Sequence, residues 1–158
     1  MKSFLSMPNP ILSIFGEGLT LKIICADDSY YELEMLRLVL KDLRLLTYCD
    51  FVPDGQQAIN KCIKAAEDNI NSNNLLVTVI IVDYEMPCKT GIEVINEVRS
   101  FYTFMNNKIA AENLISSFNA DDDRNFGLLQ VPKFCMFTGH RFKGFLDFLK
   151  EYEIDCFI

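Results

Sequence analysis

Short apolar runs of strand-forming residues alternate with amphipathic stretches along this chain, and that alternation restricts the fold more than any other feature. Leu21–Ala26 (LKIICA), Thr47–Val52, Leu76–Val82 (LVTVIIV) and Val131–Phe137 read as strands, and Cys156–Ile158 as the start of a fifth. Leu76–Val82 is rich in β-branched residues and apolar on both faces, as a central parallel strand should be. Between the runs lie helical patterns. Ser29 and Glu32 have the spacing of a capping box, and Leu33, Leu36, Leu40 and Leu43 then recur at helical spacing to about Leu45. Pro53-Asp54-Gly55 forms a turn with Asp54 as N-cap, before a stripe of Ala58, Ile59, Cys62 and Ala65. Ile92, Val94, Ile95 and Val98 mark a third helix, and Phe142, Phe145, Leu146 and Leu149 a fourth. The order β-α-β-α-β-α-β-α-β predicts an α/β protein, a doubly wound parallel sheet with helices on both faces.

The chain has 158 residues, enough for one domain with a sizeable core. Residues 1–20 are expected to be an extension or linker, and 21–158 the domain. The polar stretch of about residues 106–130, which holds Asp121-Asp122-Asp123, is expected to be a surface insertion, irregular and partly helical. The acidic triplet lacks the spaced ligands of a Ca²⁺ loop and reads as a solvated charge run. The net charge of −7, with no basic cluster, argues against a nucleic-acid partner. The N-terminal apolar residues are interrupted by Pro8 and Pro10, too short a run for a membrane span and without a signal-peptide layout. None of the six cysteines forms a C-x-x-C pair, so they read as reduced core thiols in a cytoplasmic protein. Cys88 is expected to be exposed, with no partner that would make it reactive.

Ligands of open α/β sheets bind beyond the carboxyl ends of the strands. The first, third and fourth strands end in Asp27-Asp28, Asp83 and Thr138, so one acidic pocket with a hydroxyl is predicted there. Carboxylates that converge in a small space repel one another unless a cation lies between them, and oxygen-only ligands suit Mg²⁺. Such a cation would neutralise a phosphoryl group and hold it in line with a carboxylate nucleophile. Thr138 can donate a hydrogen bond to a phosphoryl oxygen, and Gly139 leaves its N–H accessible. An acidic pair after a strand is, taken singly, more often a turn or a helix cap; the joint placement with Asp83 and Thr138 reverses that judgement.

The segments IICADDS, IIVDYEMPCKTGIEVI and FCMFTGH, with Pro53–Ile59 (PDGQQAI), resemble response-regulator receiver domains. The likeness covers roughly residues 21–158 in order and spacing, with one long insertion. It implies a flavodoxin-like sheet of strand order 2-1-3-4-5. It implies that Asp83 is the phosphoacceptor, Asp28 a direct metal ligand, Asp27 a ligand through water, and the Glu85 carbonyl a further ligand. Thr138 then matches the switch hydroxyl, Phe157 the switch aromatic and Gly139 an N–H donor to the phosphoryl group, while Pro87 and Gly91 shape the loop behind the nucleophile. The donor would be a histidine kinase or phosphotransfer protein, and the output an effector domain or protein.

One departure stands out. The family carries a phosphoryl-binding lysine shortly after the switch aromatic, and this chain ends at Ile158, before that lysine and the last helix. The chain therefore reads as a fragment or a truncated receiver, and the loss of one charge-assisted contact would cost roughly 1.5–3 kcal/mol. Phe4, Leu5, Ile11, Leu12, Ile14 and Phe15 would either cover the sheet face left bare or form an unstructured linker. Glu85 is expected to alter acyl-phosphate lifetime, and His140 is either a rim residue that affects water access or a plain helix start. The expected activity is signalling rather than turnover of a diffusible substrate. Two alternatives remain: a degenerate receiver that binds partners without phosphorylation, and an aspartyl-phosphate phosphohydrolase. The second wants Asp-x-Asp after a strand, which neither Asp27-Asp28-Ser29 nor Asp83-Tyr84-Glu85 supplies.

Overall fold

A computed structural model describes residues 19–70, 75–117, 127–137 and 145–157. In chain order the elements are β1 (Leu19–Ala26), α1 (Tyr30–Asp42), a 3-10 turn (Leu46–Tyr48), β2 (Cys49–Val52), α2 (Gly55–Ile70), β3 (Leu75–Asp83), α3 (Gly91–Ser117), β4 (Lys133–Phe137), α4 (Phe145–Glu151) and β5 (Cys156–Phe157). The five strands form one sheet of order β2-β1-β3-β4-β5, all pairs parallel, as expected from the sequence. Among the described residues, no helix is long and apolar enough to cross a membrane.

Strand alternation sorts the apolar side chains into two layers. Ile24, Ala26, Ile80, Val82, Phe134 and Met136 pack beneath Ala58, Ile59 and Cys62 of α2 and Val94, Val98 and Tyr102 of α3. Ile23, Cys25 and Ile81 point to the other side, where Leu36 and Leu40 of α1 cover them. The capping-box position does begin α1: Ser29 is the N-cap, and its side chain accepts the Glu32 N–H.

Two expectations need correction. Residues 47–52 are not one strand: Leu46–Tyr48 forms a 3-10 turn, and only Cys49–Val52 pairs with β1. The expected insertion at about residues 106–130 is not an irregular excursion in its described parts. Residues 106–117 prolong α3 to 27 residues, and Ile109 and Leu129 are both core residues. Val98, Tyr102, Met105 and Ile109 continue one helical stripe, a signal present in the sequence. Asn106 ties the returning chain to the helix, since its amide donates to the Leu129 carbonyl (2.9 Å) and its Oδ1 accepts the Leu129 N–H (2.7 Å). Asp121-Asp122-Asp123 and the N-terminal apolar segment lie outside the described residues.

Candidate functional site

The register of the central strands builds the site. Ala26 of β1 pairs with Val82 of β3, so Asp27 and Asp83 follow side by side at the carboxyl end of the sheet. The Asp27 N–H continues the ladder to the Val52 carbonyl at 3.2 Å, which fixes its backbone. Asp28 follows at the open rim. One carboxylate oxygen from each of Asp27, Asp28 and Asp83 lies within 4.8 Å of the others. Asp27 is fully buried, Asp83 half-buried and Asp28 exposed. The pocket therefore has a closed floor and an open mouth.

Its electrostatics are unfavourable without a cation. Burial, opposed by a 2.8 Å hydrogen bond from the Ser29 N–H and reinforced by the Glu32 and Asp83 carboxylates, pushes Asp27 up to about 7. Asp83 is also raised, by burial first and then by Glu32 and Asp28, against the N–H groups of Tyr84 and Glu85 that donate to it. The second Asp27 oxygen, Oδ2, is buried with no hydrogen-bond partner. A buried, unpartnered carboxylate oxygen facing two further carboxylates is a donor set suited to a hard divalent cation.

Glu32 is a site residue that its sequence context hid. In a full capping box its carboxylate would fold back to the Ser29 N–H. Asp27 Oδ1 takes that N–H instead. The Glu32 carboxylate then stands against Asp27 and Asp83 and adds a fourth negative charge.

The loop behind Asp83 is held by close backbone approaches. Gly91 opens α3 with its N–H on the Tyr84 carbonyl at 3.0 Å, and a Cβ there would come within 2.4 Å of the Asp83 carbonyl oxygen. A Cβ at Gly55 would meet the Lys89 carbonyl oxygen at 2.3 Å, so α2 also abuts this loop. Cys88 adopts a positive φ of 67° at the exposed loop tip. Met86 turns into the core and anchors the segment.

The remaining expected residues divide. Glu85 is exposed beside Asp83, on the loop. Phe157 lies on β5, with its backbone opposite Met136. Thr138, Gly139 and His140 lie outside the described residues, as do Phe142 and the side chains of Phe145, Leu146 and Leu149. β4 ends at Phe137, which pairs with Asp83, so the described register runs up to the residue before Thr138.

The sheet order is that of the flavodoxin-like fold, and solved response-regulator receiver domains share it. The receiver domain of the histidine kinase CKI1 from Arabidopsis thaliana, complexed with Mg²⁺, superposes with a TM-score of 0.57 at 13% identity, over 87% of this chain and 81% of that one. A chain in the co-crystal of the Saccharomyces cerevisiae histidine phosphotransfer protein Ypd1 with the receiver domain of its downstream response regulator Ssk1 gives 0.60 at 14%, over 88% and 77%. A chain of the CheX-CheY-BeF₃-Mg²⁺ complex from Borrelia burgdorferi gives 0.51 at 15%, over 89% and 78%. No protein-family model matches the chain, and no curated protein does.

Proposed function

We propose that this chain is a phosphoacceptor of a two-component phosphorelay, with Asp83 as the accepting residue and Mg²⁺ as its cofactor. The observation that carries the reading is the convergence of Asp27, Asp28 and Asp83 within 4.8 Å around the unpartnered Asp27 Oδ2. Asp27, Asp28, Asp83 and the Glu85 carbonyl would hold the cation. When bound, Mg²⁺ supplies charge neutralisation for the carboxylates and the incoming phosphoryl oxygens.

The chain's own residues do the rest. The Tyr84 and Glu85 N–H groups orient the Asp83 carboxylate. One Asp83 oxygen attacks phosphorus as the bond from phosphorus to the donor imidazole nitrogen breaks. Gly91 and Met86 keep the loop from yielding under the nucleophile. Thr138 and the Gly139 N–H would receive the phosphoryl oxygens, and Phe157 would respond to the hydroxyl's movement.

The donor would be a histidine kinase or a phosphotransfer protein. The Ypd1–Ssk1 co-crystal supports that kind of partner. The helix that starts at the pocket is also suited to docking: Tyr31, Met35 and Leu38 leave an exposed apolar strip on α1. The reading is of a cytoplasmic signalling domain, not an enzyme that turns over a diffusible substrate.

Intact-mass measurement after incubation with acetyl phosphate and Mg²⁺ tests the proposal. The native chain should gain one phosphoryl group and Asp83→Ala none. Omission of Mg²⁺ should abolish the gain. Binding of Mg²⁺ without any phosphoryl gain would instead favour a partner-binding module.

A further inference from the structure

We propose that Cys135 and Cys156 form a reversible, oxidation-dependent disulfide that staples β5 to β4. The two residues are direct partners in the parallel ladder, so their side chains project from the same face of the sheet. Neighbouring strands lie about 4.8 Å apart, inside the Cα separation of roughly 4.4–6.8 Å that a disulfide spans. The thiols are already within hydrogen-bonding reach of each other.

The surrounding contacts lock this register. Asp155, one residue before Cys156, accepts the Phe134 N–H at 2.8 Å and Lys133 Nζ at 2.9 Å, and its own N–H donates to the Phe134 carbonyl at 2.9 Å. Phe134 is the residue before Cys135. Bonding therefore requires no sliding of one strand against the other.

The two thiols differ in a way that suits sequential chemistry. Cys156 is exposed and Cys135 half-buried. Burial, with the neighbouring Cys156 second, pushes the Cys135 thiol up to about 12, and the exposed Cys156 therefore meets the oxidant first. With hydrogen peroxide as oxidant, the Cys156 sulfur attacks one peroxide oxygen. The O–O bond breaks, the sulfur becomes a sulfenic acid, and the other oxygen leaves as water with the thiol proton. The Cys135 sulfur then attacks the sulfenic sulfur; the S–S bond forms, the S–O bond breaks, and hydroxide leaves as water with the Cys135 proton. Two thiols are oxidised and one peroxide is reduced to two waters.

The other close pair lacks this geometry. Cys49 is opposite Ile23, two residues from Cys25, and Cys25 is fully buried. The ladder contact and access from solvent coincide at Cys135–Cys156.

The test is peptide mapping under non-reducing conditions after the reduced full chain is treated with hydrogen peroxide. The expected main product is a peptide pair joined through Cys135 and Cys156, with the intact chain two hydrogens lighter and restored by dithiothreitol. Cys135→Ser and Cys156→Ser should each abolish it, with circular dichroism confirming that both variants fold, and Cys88→Ser should leave it unchanged. The bond should form equally in Asp83→Ala, so the result is separate from phosphoacceptor chemistry. Cys156 oxidised to sulfinic acid while Cys135 still alkylates in the native chain would overturn the proposal. So would a bond from Cys156 to Cys88 or to a second chain.

Discussion

The centre of the sheet and its β5 edge are built from the same kind of parallel pairing, yet they differ sharply in depth. β1 and β3 pair continuously from Leu19–Leu75 to Ala26–Val82, with apolar layers on both sides. Among the described residues β4 and β5 pair at two positions, and polar contacts tie them together: Asp155 to Lys133 and Phe134, and Arg99 reaching across from α3. The centre can hold three repelling carboxylates in place because its backbone has no freedom to separate them. With so short a ladder, the edge is the region expected to open before the centre.

Mutations should expose this contrast. Ile80→Ala, in the centre, removes a fully buried β3 side chain from the core shared with α2 and α3 and should cost about 2–5 kcal/mol by urea unfolding, with a global loss of amide protection. Arg99→Met tests the edge. Its guanidinium donates to the carbonyls of Tyr152 and Glu153, both at 2.6 Å, and lies over the Phe134 ring at 4.8 Å. The expected cost is about 1.5–3 kcal/mol, and hydrogen exchange should rise first in β5 while β1 and β3 stay protected. Equal loosening of all strands would erase the distinction between the two regions.

A third prediction concerns the acids. In the cation-free protein, burial and the facing Glu32 and Asp83 carboxylates push Asp27 up from its ordinary 3.8 to about 7, so the folded state favours its neutral form up to that pH. That contribution is fully present below the unfolded pKa and is lost as pH rises through about 7. Asp27→Asn keeps an acceptor for the Ser29 N–H and removes the charge. It should raise the cation-free protein's melting temperature, by on the order of 1–2 kcal/mol in stability at pH 8. The gain should shrink towards pH 5, and Mg²⁺ should protect the native chain but not the variant. The smallest effect is expected at Glu32→Gln, which should leave the unfolding midpoint nearly unchanged. It should lower the Asp27 and Asp83 pKa values measured by carboxyl NMR, because one facing negative charge is gone.

The residues that were easiest to read from sequence are those whose role follows from one strand. Leu76–Val82 announces a strand buried on both faces, and an acid at the end of such a strand is placed at the sheet's carboxyl edge wherever its neighbours go. Glu32 was not legible as a site residue because its spacing from Ser29 already had a local explanation. Whether it caps α1 or faces the acids depends on Asp27 taking the Ser29 N–H, a contact made by the chain's turn out of β1. The length of α3 was hidden for a related reason. Asn106-Asn107 looks like the start of a loop, and it is the burial of Ile109 and the Asn106 contact with Leu129 that keep the helix going.

By itself, then, the order of apolar periods determined a parallel α/β sheet with Asp27, Asp28 and Asp83 at strand ends, since period and strand polarity are properties of the local chain. Only the tertiary structure decided the rest: the ladder register that brings the three carboxylates within 4.8 Å, the fourth acid beside them, the run of α3 through residue 117, and the meeting of Cys135 with Cys156. Each of these joins residues distant in sequence or settles a competition between local partners, and burial and hydrogen bonding in the assembled fold are what settle it.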